Sequence, residues 1–234
     1  MRSSMTWFGL SLVFLIVLAV VLLIGGRKMA VAADTRKAPI PAPALDEKKT
    51  TASNETAVFA GGCFWGVQSV FQRVKGVTAT TAGYSGGTAS SANYGMVSAG
   101  LTDHAEAVKV VFDPSKVSYG TLLRIFFSVV HDPTQLNRQG NDVGRSYRSA
   151  IFYTTPEQQK IAAAYIEQLD AAQVFPKKIV TQLGPLEAFY DGEEYHQDYA
   201  EKNPHNPYIM VCDVPKIAGL QQQFPELFEE YHRK

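Results

Sequence analysis

AGGCFWGVQ, residues 60–68, joins a predicted strand to a predicted helix. The apolar run AVFA at 57–60 is typical of a short buried strand, and Gly61 and Gly62 end it. From Cys63 onward, apolar residues recur at helical spacing until Gly76 closes the segment; they are Val67, Val70, Phe71 and Val74. The sequence therefore predicts a strand, a glycine turn and a helix, with Cys63 in the first helical turn.

Further strands and helices alternate along the chain. The patterns predict strands near 77–84, 104–114, 148–153, 178–183 and 186–190, and helices near 118–131, 155–172, 193–201 and beyond Pro215. Alternation in YIMVCDV, 208–214, predicts one more strand, on which Cys212 is packed. This succession implies an α+β fold with a mixed sheet covered by helices and long loops, while periodicity leaves the strand order open.

Composition excludes several classes of protein. Lys plus Arg equals Asp plus Glu at 22 each, so the chain has no basic surplus for nucleic acid. The only cysteines, Cys63 and Cys212, cannot build a disulfide scaffold. The five histidines show no metal-ligand spacing, so we expect no bound metal.

The first 56 residues differ from the rest of the chain. Residues 7–26 are apolar and uncharged and are long enough to span a bilayer, so we interpret 1–28 as a membrane anchor or signal segment. A cleavable signal peptide remains open, because AVAA at 30–33 offers a cleavage site. Residues 29–56 are rich in Ala, Pro, Lys and Thr and favour a flexible linker, which leaves 57–234 as the main folded domain. We expect that domain on the extracytoplasmic side, either membrane-anchored or exported.

Three residues in these patterns carry candidate chemistry. Cys63 is either a small buried residue or a reactive thiol, since a helix N-terminus favours a thiolate. Glu106 shares a predicted strand face with apolar residues, which would raise its pKa and make it a proton donor, unless it is merely solvated. His104 could serve Cys63 as the base of a Cys–His acyl-transfer enzyme, or be an ordinary loop histidine.

An ordered set of motifs resembles the A-type peptide methionine sulfoxide reductases. The set runs from about residue 57 to 215 and comprises GGCFWG, GYSGG, NY, DHAEAVKVVFDP, HDPTQLNRQGNDVGRSYRSAIFY, TPEQ and YHQDYAEKNPHNPY. The resemblance implies a ferredoxin-like α+β core and reduction of the S epimer of methionine sulfoxide, free or in proteins. It implies Cys63 as the nucleophile and Glu106 as the acid, with Tyr94, Tyr147 and Asp142 around the sulfoxide oxygen. Phe64 and Trp65 would cradle the methyl group of the substrate.

The chemistry so implied passes through a sulfenic acid on Cys63, which a thiol must then reduce. We therefore expect no bound cofactor and an external reductant such as thioredoxin, glutaredoxin or glutathione. We also expect the protein to be a monomer. Two features depart from the family: Asp103 stands where we expect glycine, and the tail after Cys212 contains no cysteine. Besides the acyl-transfer enzyme, a third hypothesis is a membrane-tethered module that binds methionine-rich proteins without catalysis.

Overall fold

The computed structural model describes residues 40–47 and 54–231. The chain divides into two units, Met1–Lys37 and Ala38–Lys234, and all the described residues belong to the second. Its strands are β1 Glu55–Gly61, β2 Val77–Ser85, β3 Ala105–Phe112, β4 Arg138–Gln139, β5 Asp142–Val143, β6 Ser149–Tyr153, β7 Gln182–Pro185 and β8 Phe189–Asp191. Its α-helices are α1 Phe64–Phe71, α2 Tyr94–Ser98, α3 Tyr119–Ile125, α4 Pro156–Ala171, α5 Tyr199–Lys202 and α6 Val214–Gln223.

Six strands form one mixed sheet in the order β7-β6-β1-β3-β2-β8. Its four central strands follow a βαββαβ path, in which α1 connects β1 to β2, and α3 lies between β3 and β6. All neighbours in the sheet are antiparallel except β6 and β7. The predicted mixed α+β fold with covering helices is therefore confirmed. The short strands β4 and β5 pair with each other in a separate hairpin.

The helices bury one face of the sheet. Val108, Val110 and Phe112, which alternate along β3 as predicted, belong to the main core with residues of α1, α3 and α4. At its centre the Phe59 ring of β1 stacks on Phe71 at 5.1 Å and on Phe126 at 5.0 Å between ring centroids. Because β1 is buried in the middle of the sheet, the turn that follows it is held rigidly.

Two of the predicted helices differ in type or continuity from those in the structure. The helix predicted at 118–131 ends as a π-helical turn, Phe126–Val130. The helix predicted at 193–201 splits into a 3₁₀ turn, Glu194–His196, and α5, because Asp198 between them has a left-handed φ of 56°. The predicted helix start at Thr155 is confirmed, since its side chain accepts a hydrogen bond from the Gln158 N–H.

The strand predicted at 208–214 is wrong, because these residues are helical. The Asn206 side chain accepts a hydrogen bond from the Tyr208 N–H, and its carbonyl accepts one from the Met210 N–H. A π-helical turn, Ile209–Asp213, then leads directly into α6. Ile209 and Asp213, four apart, are buried, whereas Val211 between them is 72% exposed; on a strand all three would share one face. Cys212 is only half-buried as a result.

Residues 40–47 pack against the catalytic domain. The Asp46 carboxylate accepts hydrogen bonds from the Gly120 N–H at 2.8 Å and from the Ser118 hydroxyl at 2.6 Å, at the start of α3. The Tyr165 hydroxyl donates to the carbonyl of Pro41, and the Arg124 guanidinium donates to that of Ile40. This part of the predicted linker at 29–56 thus differs from a free linker, because its polar groups are satisfied by α3 and α4.

We expect Asp46→Ala to lower the free energy of unfolding by about 1–2 kcal/mol, because it removes an acceptor from a helix N-terminus. A chain beginning at Asn54 should be destabilised further than one beginning at Ile40. Urea unfolding measures both effects, with the exposed Glu187→Ala as control. Equal stabilities would mean that the contacts of 40–47 contribute nothing in solution.

The predicted anchor at residues 7–26, with the apolar helix expected there, lies outside the described residues. Within residues 40–47 and 54–231, no helix is long and apolar enough to cross a membrane.

Candidate active site

Cys63 occupies the turn between β1 and α1 and is 7% exposed. It is the N-cap residue of α1, one position before the helical turn in which we predicted it. Gly62 before it has a left-handed φ of 93°, and a Cβ there would lie 2.8 Å from the Gln139 side chain. Both the backbone conformation and the close approach of the β4–β5 hairpin therefore require glycine.

Glu106 lies on β3 beside the cysteine and is 2% exposed, so the alternative of a merely solvated carboxyl is wrong. Its Oε2 accepts a hydrogen bond of 3.0 Å from the Phe64 N–H, at the first position of α1. Burial raises the pKa of Glu106 to about 8, although the Phe64 N–H and the neighbouring Cys63 thiol lower it. The carboxyl is therefore mostly protonated at neutral pH.

The Cys63 thiol is not activated by the groups around it. Burial raises its pKa well above the usual value, and the nearby carboxyls of Glu106 and Asp213 raise it further. These effects outweigh the helix N-terminus, which we expected to favour a thiolate. The cysteine therefore rests as a thiol next to a carboxylic acid.

Two tyrosines predicted for the site lie close to this pair. Burial raises the pKa of Tyr94 and of Tyr147, and Glu106 and Cys63 add to the rise in both. Each hydroxyl therefore keeps its proton and can donate a hydrogen bond. Tyr94 opens α2, where its N–H donates to Glu193 Oε1 at 2.8 Å.

Asp142 is held at the site by a residue that the motifs did not single out. The Tyr208 hydroxyl donates to Asp142 Oδ2 at 2.5 Å, linking the β4–β5 hairpin to the segment before α6. Burial raises the pKa of Tyr208, and the proximity of Cys63 contributes to it. Glu193 was missed in the same way: it accepts hydrogen bonds from the Tyr94 N–H and from the Tyr84 hydroxyl.

The two predicted substrate-binding aromatics differ in exposure. Trp65 is half-buried; its indole stacks on Tyr199 at 3.8 Å and donates to His196 Nδ1 at 3.2 Å. Phe64 is 0% exposed, and its ring packs 4.9 Å from that of His196. Phe64 therefore supports the site from beneath, whereas Trp65 has surface that a ligand can reach.

His104 makes its contacts with other parts of the fold and not with Cys63. It is fully buried, its Nε2 lies 3.0 Å from the carbonyl oxygen of Thr88, and its ring packs against Tyr190. Cys63 instead lies beside Glu106, whose carboxyl accepts a hydrogen bond from the N–H of the next residue, Phe64. The Cys–His acyl-transfer hypothesis is therefore not supported. Within the described part of the chain, no group of three His, Cys, Asp or Glu side chains is placed to hold a metal ion.

Comparisons with known proteins agree with this arrangement. The family described as peptide methionine sulfoxide reductase matches residues 55–227. The peptide methionine sulfoxide reductase MsrA 2 of Synechocystis is 54% identical over 190 residues, covering 80% of this chain and 89% of the relative. MsrA of Deinococcus radiodurans is 49% identical over 173 residues, covering 74% and 84%.

Solved structures show the same similarity. Methionine sulfoxide reductase A of Corynebacterium diphtheriae has a TM-score of 0.59 and 35% identity, covering 72% of this chain and 84% of that one. Reduced Mxr1 from Saccharomyces cerevisiae has a TM-score of 0.62 and 34% identity, covering 68% and 91%. The chain therefore belongs to the peptide methionine sulfoxide reductase family and is an oxidoreductase that reduces methionine sulfoxide to methionine.

Proposed function

We propose that Cys63 reduces the S epimer of methionine sulfoxide, free or in proteins, with Glu106 as the acid. The observation that carries this proposal is a buried Glu106 with a pKa of about 8 beside Cys63, hydrogen-bonded to the N–H of the residue that follows the cysteine. A sulfoxide sulfur becomes electrophilic when its oxygen gains a proton, and a protonated carboxyl beside the nucleophile supplies that proton.

The proposed reaction balances without a cofactor. Glu106 protonates the sulfoxide oxygen while the Cys63 sulfur attacks the substrate sulfur, and the thiol proton restores Glu106. The sulfur–sulfur bond formed by this attack and the sulfur–oxygen bond of the substrate then break as the hydroxyl passes to Cys63, and methionine leaves. Cys63–SH and methionine sulfoxide thus become Cys63–SOH and methionine, with two electrons passing from the cysteine to the substrate.

The surrounding side chains position the substrate in this proposal. Tyr94 and Tyr147 donate hydrogen bonds to the sulfoxide oxygen, and Asp142, held by Tyr208, stands beside them. A donor preorganised in this way contributes about 2.7–4 kcal/mol to transition-state stabilisation. Trp65 contacts the methyl group, and Phe64 keeps Trp65 and His196 in place from beneath. An S-methyl end fits this aromatic surface because it is small and apolar.

The experiment that tests the function uses methyl p-tolyl sulfoxide with dithiothreitol and follows each enantiomer by chiral chromatography. We expect the S enantiomer to be consumed and the R enantiomer to remain. Consumption of both enantiomers at equal rates would contradict the proposed preference for the S epimer. A failure to reduce either one would favour a binding module that recognises methionine-rich proteins without catalysis.

Regeneration requires an external thiol, for which thioredoxin, glutaredoxin and glutathione are candidates. The first thiol attacks Cys63–SOH to give a mixed disulfide and water, and a second thiol releases Cys63–SH and a disulfide. Cys212 is the other cysteine of the chain, and its pKa is raised by burial and then by Asp213. It lies within a helical turn anchored through the buried Asp213 rather than in a free tail. We therefore propose a cycle that uses Cys63 alone.

We expect Cys212→Ser to keep wild-type turnover with each of these reductants. One equivalent of sulfoxide, followed by dimedone trapping and mass spectrometry, should place the sulfenic acid on Cys63 and show no disulfide. Rapid formation of a Cys63–Cys212 disulfide, with loss of thioredoxin-driven turnover in the variant, would establish a two-cysteine cycle instead.

We also propose that residues 1–28 anchor or export the protein and that the catalytic domain acts as a monomer on the extracytoplasmic side. An uncharged apolar run at 7–26 supports this proposal. Membrane fractionation of the full chain, compared with a chain beginning at Ile40, tests it.

A further inference from the structure

A second buried carboxyl lies close to the cysteine. Asp213 follows Cys212 in the turn before α6 and is 0% exposed. Its Oδ1 is 3.3 Å from Lys216 Nζ, and its Oδ2 has no hydrogen-bond partner among the described residues. An ionisable group this deeply buried is costly, so its retention calls for a function or a compensating contact.

Asp213 and Lys216 pack directly against α1, the helix that begins after Cys63. A Cβ on Gly66 would lie 2.1 Å from Asp213 Oδ1 and 2.7 Å from Lys216 Nζ. Gly66 is in the first turn of α1, whose N-cap is Cys63. The ion pair therefore contacts α1 about one helical turn beyond Cys63.

We propose that Asp213 is a positioning residue for Cys63, in that its carboxylate keeps the cysteine in the thiol form while the pocket is empty, and that Lys216 moderates this effect. The proposal rests on the proposed function, because it concerns the reactivity of the nucleophile. Burial of Cys63 and the Glu106 carboxyl act in the same direction, but Glu106, with a pKa of about 8, is mostly neutral at pH 7. The Lys216 ammonium, 3.3 Å from Oδ1, favours the charged form of Asp213, so we assign to Asp213 the negative charge that opposes a thiolate at that pH.

The electrostatic surroundings support this assignment. Burial raises the pKa of Cys63, Glu106 and Asp213 raise it further, and Lys216 lowers it. Burial also raises the pKa of Asp213, while Lys216 lowers it and Asp142 raises it. The remaining titratable groups that face the thiol are the tyrosines Tyr94, Tyr147 and Tyr208. A thiol is less readily oxidised than a thiolate, so the arrangement protects the cysteine between turnovers.

The experiment measures alkylation of Cys63 by iodoacetamide against pH in the absence of sulfoxide. Cys212→Ser serves as the parent, so that Cys63 is the single cysteine and mass spectrometry reports it alone. We expect Asp213→Asn, which keeps the side-chain shape, to lower the midpoint by about one pH unit and to speed alkylation at pH 7 about tenfold. Lys216→Met should shift the midpoint upward.

Controls separate charge from packing. Lys202→Met, which removes a lysine paired with Glu194, should leave the midpoint at the parent value. Thermal unfolding identifies a variant that fails to fold, and Lys216→Met then carries the test by itself. Unchanged midpoints in folded Asp213→Asn and Lys216→Met would overturn the proposal. Because alkylation requires no sulfoxide, this outcome is distinguishable from a failure of the proposed function, which loss of sulfoxide reduction would show.

Discussion

Cys63→Ser is expected to abolish sulfoxide reduction while leaving the fold intact. A serine hydroxyl occupies the same N-cap position, where serine is a favoured residue, so the start of α1 should be preserved. It cannot, however, take up the substrate oxygen as a sulfenic acid, so the protein has no donor for the two electrons that reduce the sulfoxide. The measurement is methionine formation from methionine sulfoxide with dithiothreitol, together with circular dichroism of the variant.

Cys212→Ser is the matched control, since it makes the same replacement at the other cysteine of the chain. It should retain full activity with dithiothreitol. Residual turnover of more than a few per cent in a folded Cys63→Ser protein would show that another group is the nucleophile.

Glu106→Gln is expected to slow the reductive step by about 10²-fold or more, the usual contribution of a general acid. The amide oxygen can still accept the hydrogen bond that the Phe64 N–H donates to Oε2, so the geometry of the turn should persist. The variant lacks only the acidic proton. Single-turnover methionine formation isolates this step from regeneration of the thiol.

The pH dependence gives an independent readout of the same residue. The pKa of Glu106 is raised to about 8, so its proton is present below that pH and is lost as the pH rises through it. The wild-type reductive rate should therefore fall as the pH rises through about 8, and the Glu106→Gln profile should lack this decrease. The exposed Glu187→Gln is the control and should match wild type. An unchanged rate and profile in Glu106→Gln would assign the proton to another group.

Local patterns predicted much of the catalytic core. The glycine turn before Cys63, the alternation along β3 and the Thr155 cap all depend on neighbours within a few residues, and each is present in the structure. The apolar face that Glu106 shares with Val108 and Val110 left both a buried and a solvated carboxyl open, and the structure shows that it is buried. The order of the strands is a long-range property, and periodicity did not reveal it.

The sequence by itself determined where the thiol and the acid lie along the chain, because helical and strand periodicity report which side chains face the core. Only the tertiary structure decided what surrounds them. Tyr208 and Asp142 are 66 residues apart, and residues 40–47 meet α4 across more than a hundred. Alternation at 208–214 even indicated the wrong element, because packing of Asp213 against Gly66 favours a helical turn there. A group's pKa depends on burial and on charges brought together by folding, and periodicity contains neither the partners nor their distances.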